Sequence, residues 1–219
     1  MTRLSSIEKI ILSFLLFIAL MLTLRISYTN NTRYVFLLWN LFLAWVPFQL
    51  SVTLSQTGGK NKWYRYFLLL KWLLFFPNAL YIITDLVHLD ESKGDAPVWY
   101  DAILLFTCSL TGLIMAFISL HQVEIYLKKS VSKKHTGKLI MAALFLGSFG
   151  VYVGRFLRWN SWNIINKPQL LLTDISKHVL LPFEYYKTWV VTLLLTCLFS
   201  LIYFALKKLP GILNEPQNP

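Results

Sequence analysis

Apolar residues run along this chain in long, nearly unbroken stretches separated by short polar segments rich in Lys, Arg, Asn and Gly. Six stretches stand out, at residues 7–24, 34–54, 66–86, 102–127, 139–157 and 188–206. An α-helix rises 1.5 Å per residue, so about 20 residues cross a hydrocarbon core of ~30 Å, and each stretch predicts a spanning helix with some tilt. A membrane barrel would instead show alternating segments of about 10 residues, which the chain lacks. The first stretch is preceded by Arg3 and Lys9 like a signal peptide, but Leu22-Thr23-Leu24-Arg25 has no small-x-small cleavage site and reads as an uncleaved anchor. The expected fold is all-α: a polytopic membrane protein in which residues 1–219 form one transmembrane domain, a six-transmembrane-helix bundle.

The segment 159–187 is too long for a plain connector. Asn166 and Pro168 make a helix start, Leu171, Ile175 and Val179 recur at i, i+4, i+8, and Pro182 stops the run. This predicts a short interfacial helix on the extracytoplasmic surface, with Asp174 and Lys177 facing water. A re-entrant segment plugging the bundle is the competing reading. The chain has neither an internal repeat nor the inverted symmetry of many transporters.

Composition agrees with the pattern. Residues of the AVILMFWYC set make up 56% of the chain and charged residues 14%, with a mean hydropathy of +0.56. Soluble domains carry roughly 25% charged residues, so this chain has more apolar surface than one core can bury. With 9 Gly, 8 Pro and 2 Cys, disordered, collagen-like and disulfide-rich classes are excluded. Cys108 and Cys197 lie inside apolar runs, where a thiol behaves as a small hydrophobe, and no redox motif is present.

The net charge of +11 would suggest nucleic acid on a soluble protein, but here it reports orientation. With the N-terminus inside, the short cytoplasmic loops hold Lys60, Lys62, Arg65, Lys128, Lys129, Lys133, Lys134 and Lys138. The short outer loops hold only Arg25, Arg33 and Lys93. Both termini are therefore expected in the cytoplasm, and no nucleic-acid partner is implied. The basic loop 128–138 also suits anionic lipid, although the orientation bias accounts for it.

Candidate chemistry gathers at the outer side. Asn78, Tyr81, Asp85 and His88 fall at steps of 3, 4 and 3, hence on one helical face, and Pro77 permits a kink just before that face begins. Polar groups at such depth face protein or a wet cavity. The fourth span opens with Trp99-Tyr100-Asp101, and the fifth closes with Arg155, Arg158, Trp159 and Asn160. Arg155 and Arg158 are i, i+3 neighbours whose planar, fork-like donors suit a phosphate or carboxylate. The bland alternative is that the arginines snorkel, the aromatics form an interface belt and an Asp simply pairs an Arg. Asp85, His88 and Asp101 could supply an acid–base set; with no second His at i+4 they are assigned no metal, and no cofactor motif appears.

Other positions read structurally. Gly112 with Ala116, and Ala143, Gly147, Gly150 and Gly154, form small-residue faces that let helices approach, which makes the fifth span a candidate central helix to which Asn40 could hydrogen-bond. His121 and Glu124 are i, i+3 partners, and Lys71 lies close enough to a helix end to snorkel.

The runs Asn40-Leu-Phe-Leu-Ala-Trp-Val-Pro47, Trp72 to Ala79 continuing through Tyr81 to His88, Pro97-Val-Trp-Tyr-Asp101 and Gly154 to Trp162 resemble the bacterial multi-pass membrane protein family catalogued as domain of unknown function 1361. The last run is the most specific; Leu80 and Asn163 depart from the family's usual proline and acid. The resemblance implies a protein of the bacterial cytoplasmic membrane and supplies no reaction. Three functions stay open: an outward-facing polar site that binds, or binds and modifies, an anionic lipid head group or similar ligand; a transporter or channel lined by the third span; and a non-catalytic subunit held to a membrane-protein partner in an envelope complex. On the first, Arg155 and Arg158 hold the anion with Asn78, Tyr81, Trp159 and Asn160, while Asp85, His88 and Asp101 carry acid–base chemistry.

Overall fold

The computed structural model describes residues 6–57, 61–91, 96–159 and 163–213. Among these no strand occurs. The helices are α1 (Ser6–Thr29), α2 (Phe36–Ser55), α3 (Lys62–Tyr81), α4 (Val98–Lys128), α5 (Lys133–Arg155), α6 (Asn163–Asn166), α7 (Pro168–Leu180) and α8 (Tyr186–Leu213). A 3₁₀ turn, Arg33–Val35, precedes α2, and a 3₁₀ helix, Ile82–Glu91, continues α3. Six helical segments are long and apolar enough to cross a membrane, as the hydropathy pattern predicts. The fold is all-α with six such helices.

Local chemistry explains several boundaries. Asn30 ends α1 in the left-handed region (φ 53), a conformation Asn tolerates, with its N–H on Ile26 O at 2.8 Å. The Asn61 side chain accepts from Trp63 N and caps α3. Pro168 stands in the first turn of α7, as predicted. Hydroxyls inside the spans return to their own helices: Thr107, Thr111, Ser148 and Thr196 donate to the carbonyl four residues back. Such bonding lets an apolar helix carry polar side chains without orphaning them.

The chain divides into two compact units, Met1–Lys129 and Ser130–Pro219. In the first, α4 is the hub, packed by α1, α2, α3 and the 3₁₀ helix. Of its apolar window 67% is buried, against 44% for α5, so the most enclosed helix is the fourth rather than the fifth. Its small face works as expected: a Cβ on Gly112 would lie 2.9 Å from Ile82 Cδ1 and 3.1 Å from Ala79 O. Trp72 Nε1 donates to Ser119 Oγ at 2.6 Å, and Ser119 Oγ donates to Pro47 O at 3.0 Å, so three helices meet through one serine. At the opposite end from residue 101, Glu124 is buried and held by Lys128 at 3.0 Å, with His121 at 3.9 Å, which is the local ion pair the spacing suggests.

The third span departs from expectation. Regular α-helix stops at Tyr81, and the 3₁₀ helix runs ten residues, far beyond the usual three or four. Ile82-Ile83-Thr84 is a β-branched run that fits an α-helix poorly, and Ser109 Oγ engages Ile82 O at 3.1 Å just where the change occurs.

In the second unit α5 packs along α8, and α6 leads into α7. Trp189 of α8 stacks on Phe145 and Phe149 of α5.

Candidate functional site

One connected polar layer occupies the end of the first unit where α1 finishes and α4 begins. Arg25, in the last turns of α1, donates from Nε to Asp101 Oδ1 at 2.7 Å and from Nη2 to Oδ2 at 3.1 Å. Both side chains are buried, at 1% and 0% exposure, so the charges neutralise each other away from solvent. The guanidinium lies 4.4 Å above the Tyr34 ring, and Tyr34 donates its hydroxyl hydrogen to His88 O at 3.1 Å. Phe36 meets the His88 ring edge-on at 5.1 Å. Tyr100, next to Asp101, donates to Met21 O at 2.8 Å. Asn40 of α2 donates to Asp85 Oδ2 at 2.7 Å, and Asp85 is buried.

The predicted residues of the third span therefore divide. In 3₁₀ geometry Ile82, Asp85 and His88 share a face at steps of three, so Asp85 and His88 stay aligned although the helix type differs from expectation. Asn78 is half-buried and donates to Phe75 O at 3.1 Å within its own turn; Tyr81 is half-buried, and its carbonyl accepts from Thr84 at 2.7 Å. Tyr34 and Arg25 tie His88 to Asp101, while Asn40 ties Asp85 to α2. Asn40 thus bonds within the first unit, to the continuation of the third span.

The other predicted residues belong to the second unit. Half-buried Arg155 is the last residue of α5. Arg158 is exposed and adopts φ 58, the left-handed region that Gly or Asn normally fills. Trp159 N–H reaches back to Val153 O at 3.2 Å, and its indole Nε1 donates to Asp174 Oδ2 at 2.8 Å. Asn160 lies outside the described residues.

The Trp159 bond corrects the expected orientation of α7. Asp174 is half-buried against the indole rather than turned to water, while Lys177 is exposed as predicted. The inward stripe is Leu171, Ile175 and His178; Val179, expected on the apolar contact face, is 48% exposed. Buried His178 places Nδ1 2.6 Å from Thr188 Oγ1, lies 4.1 Å from the Tyr185 ring, and accepts Trp189 Nε1 on its carbonyl at 3.1 Å.

Sequence reasoning missed Arg25, Tyr34 and His178. A faint signal existed for the first: Arg25 and Asp101 each stand at the edge of an apolar run on the same predicted face. His178 gave none, because a lone imidazole in an amphipathic helix has no preferred side. Among the described residues no group of three or more His, Cys, Asp or Glu is placed to hold a metal ion.

Comparison with known proteins bears on family alone. Residues 39–202 match the model of a family described as protein of unknown function (DUF1361), and the chain belongs to that family. Searches of the curated proteins and of the solved structures each gave no match.

Proposed function

We propose that this family member is a multi-pass protein of the bacterial cytoplasmic membrane, with both termini in the cytoplasm, that binds an anionic lipid head group or a similar anion at its outer face. Arg155 and Arg158 are the anion-holding groups, with Trp159 fixing the turn that carries them. The observation that carries this reading is Arg158 itself. A bulky side chain in the left-handed region costs about 1–2 kcal/mol that Gly would avoid, and such strain clusters at binding sites. The strained backbone leaves the guanidinium exposed at a helix end between two predicted spans, where phosphate head groups lie.

Binding without chemistry is the form the geometry supports best. Asp101 has both oxygens engaged by the Arg25 guanidinium and is buried, so the pair serves to join α1 to α4 rather than to meet a ligand. Asp85 and Asp101 act in this reading as positioning groups for the outer ends of α1, α2 and α4, and His88 shares that layer through its backbone. The test is retention of phosphatidylglycerol against phosphatidylcholine by protein purified from mixed nanodiscs. Arg155→Ala with Arg158→Ala should abolish the preference in a protein that still inserts and remains abundant; an unchanged preference removes the reading.

One observation favours a second reading. A membrane-spanning helix that changes type beside a buried carboxylate resembles the interrupted helices around which transporters build sites, and α3 does so at Ile82 beside Asp85. Transport predicts solute or proton flux in proteoliposomes that Asp85→Asn alters; no flux across a broad solute screen counts against it.

A further inference from the structure

The outer face of α7 differs from what its sequence alone implies. α7 carries one acid, Asp174, and Trp159 draws that acid inward through the indole N–H at 2.8 Å. The C-terminal turn is fastened by His178, whose ring and carbonyl engage Thr188 and Trp189 of α8. α7 is thus held at its middle and near its C-terminus, with its remaining face turned out. That face carries Leu172 and Leu180, 63% and 76% exposed, the hydroxyls of Thr173 and Ser176, and the Lys177 ammonium. These residues, with Leu181, line an open groove of about 500 Å³.

We infer that this groove is a docking site for one anionic phospholipid, whose acyl chain lies along Leu172, Leu180 and Leu181 while its phosphate meets Lys177 and the Ser176 hydroxyl; the Thr173 hydroxyl donates to Gln169 O at 2.8 Å and only lines the groove. The inference deepens the proposed function and rests on it: with α5 and α8 both spanning, the segment joining them sits at one bilayer surface, where lipid is the neighbour at hand. Charge selects which lipid. Because Asp174 is turned away, the groove presents a cation and no carboxylate, which complements a net-negative head group and gives no advantage to a zwitterionic one. Trp159 is in this sense a specificity residue that touches no lipid. Its indole holds the one acid of α7 away from Lys177.

The test uses the full chain in nanodiscs of equal phosphatidylglycerol and phosphatidylcholine, with retained lipid counted by mass spectrometry after extraction. Wild type keeps phosphatidylglycerol in preference. Lys177→Gln lowers that preference about fivefold and Lys177→Arg keeps it. Leu180→Gln lowers retention of the long-chain lipid. Trp159→Phe, which frees Asp174, lowers the preference, and adding Asp174→Asn to it restores the preference; an unfastened α7 of merely structural importance would not be rescued this way. Wild-type preference in both Lys177→Gln and Leu180→Gln, with a loss in Arg158→Ala, overturns the groove and leaves the arginine site standing. Wild-type preference in all three overturns both.

Discussion

Arg25 and Asp101, 76 residues apart, close a two-bond ion pair between the end of α1 and the start of α4, with neither side chain reaching solvent. Removing one partner leaves the other charge buried without the opposite charge that balances it, which costs about 3–5 kcal/mol, whereas replacing both with apolar residues of similar volume is often neutral. Arg25→Met and Asp101→Leu should each lower the thermal midpoint in detergent sharply, and the double variant should recover most of the loss. A double variant as unstable as either single one would mean that Tyr34 and Asn31, which also meet Arg25, matter more than the pair.

Gly112 and Gly137 make a matched contrast. A methyl at Gly112 meets Ile82 Cδ1 at 2.9 Å and the fixed Ala79 carbonyl at 3.1 Å, while one at Gly137 meets nothing within 4 Å. Gly112→Ala should destabilise by about 1–3 kcal/mol through overpacking. Gly137→Ala, inside α5, should stabilise by about 0.5–1 kcal/mol. Equal effects in a chemical unfolding series would refute the close approach of α4 to the start of the 3₁₀ helix.

Asn40 supplies Asp85 with a hydrogen bond at 2.7 Å in a buried setting. Asn40→Leu removes this one hydrogen bond and should cost about 0.5–1.5 kcal/mol, the net worth of a single bond. Hydrogen exchange should then rise in residues 82–91. Unchanged protection there would show that the 3₁₀ helix is held by other contacts.

The six long apolar helices were legible because a continuous apolar run leaves few alternatives, and the start of α7 was legible because Pro168 marks it. Two kinds of detail were not. The third span was expected as α-helix to residue 86, but Ile82-Ile83-Thr84 and the Ser109 hydroxyl favour 3₁₀ geometry from Ile82, and the single step of three from Asp85 to His88 fits either period. Partner choice was also hidden. Arg25 read as a loop charge because Leu24 ended the apolar run, yet α1 continues to Thr29 and carries Arg25 inward to Asp101. On α7 the repeat of Leu171, Ile175 and Val179 suggested the contact face, but Trp159 and Thr188 pull Asp174 and His178 inward and rotate the helix until Val179 is outside. Polar partners supplied by other segments decided both cases, and hydropathy along one segment does not encode them.

The central claim, that Arg158 is kept in a strained conformation for the anion it holds, makes two effects of one substitution move in opposite directions. Arg158→Gly relieves the positive φ and should raise stability by a few tenths to about 1 kcal/mol, allowing for the greater freedom of Gly in the unfolded chain. The same change removes a guanidinium and should weaken retention of phosphatidylglycerol about fivefold or more. The decisive measurement pairs thermal unfolding with lipid retention on that single variant: higher stability with lost preference is the predicted result, and a variant that keeps wild-type preference for the anionic lipid contradicts the account.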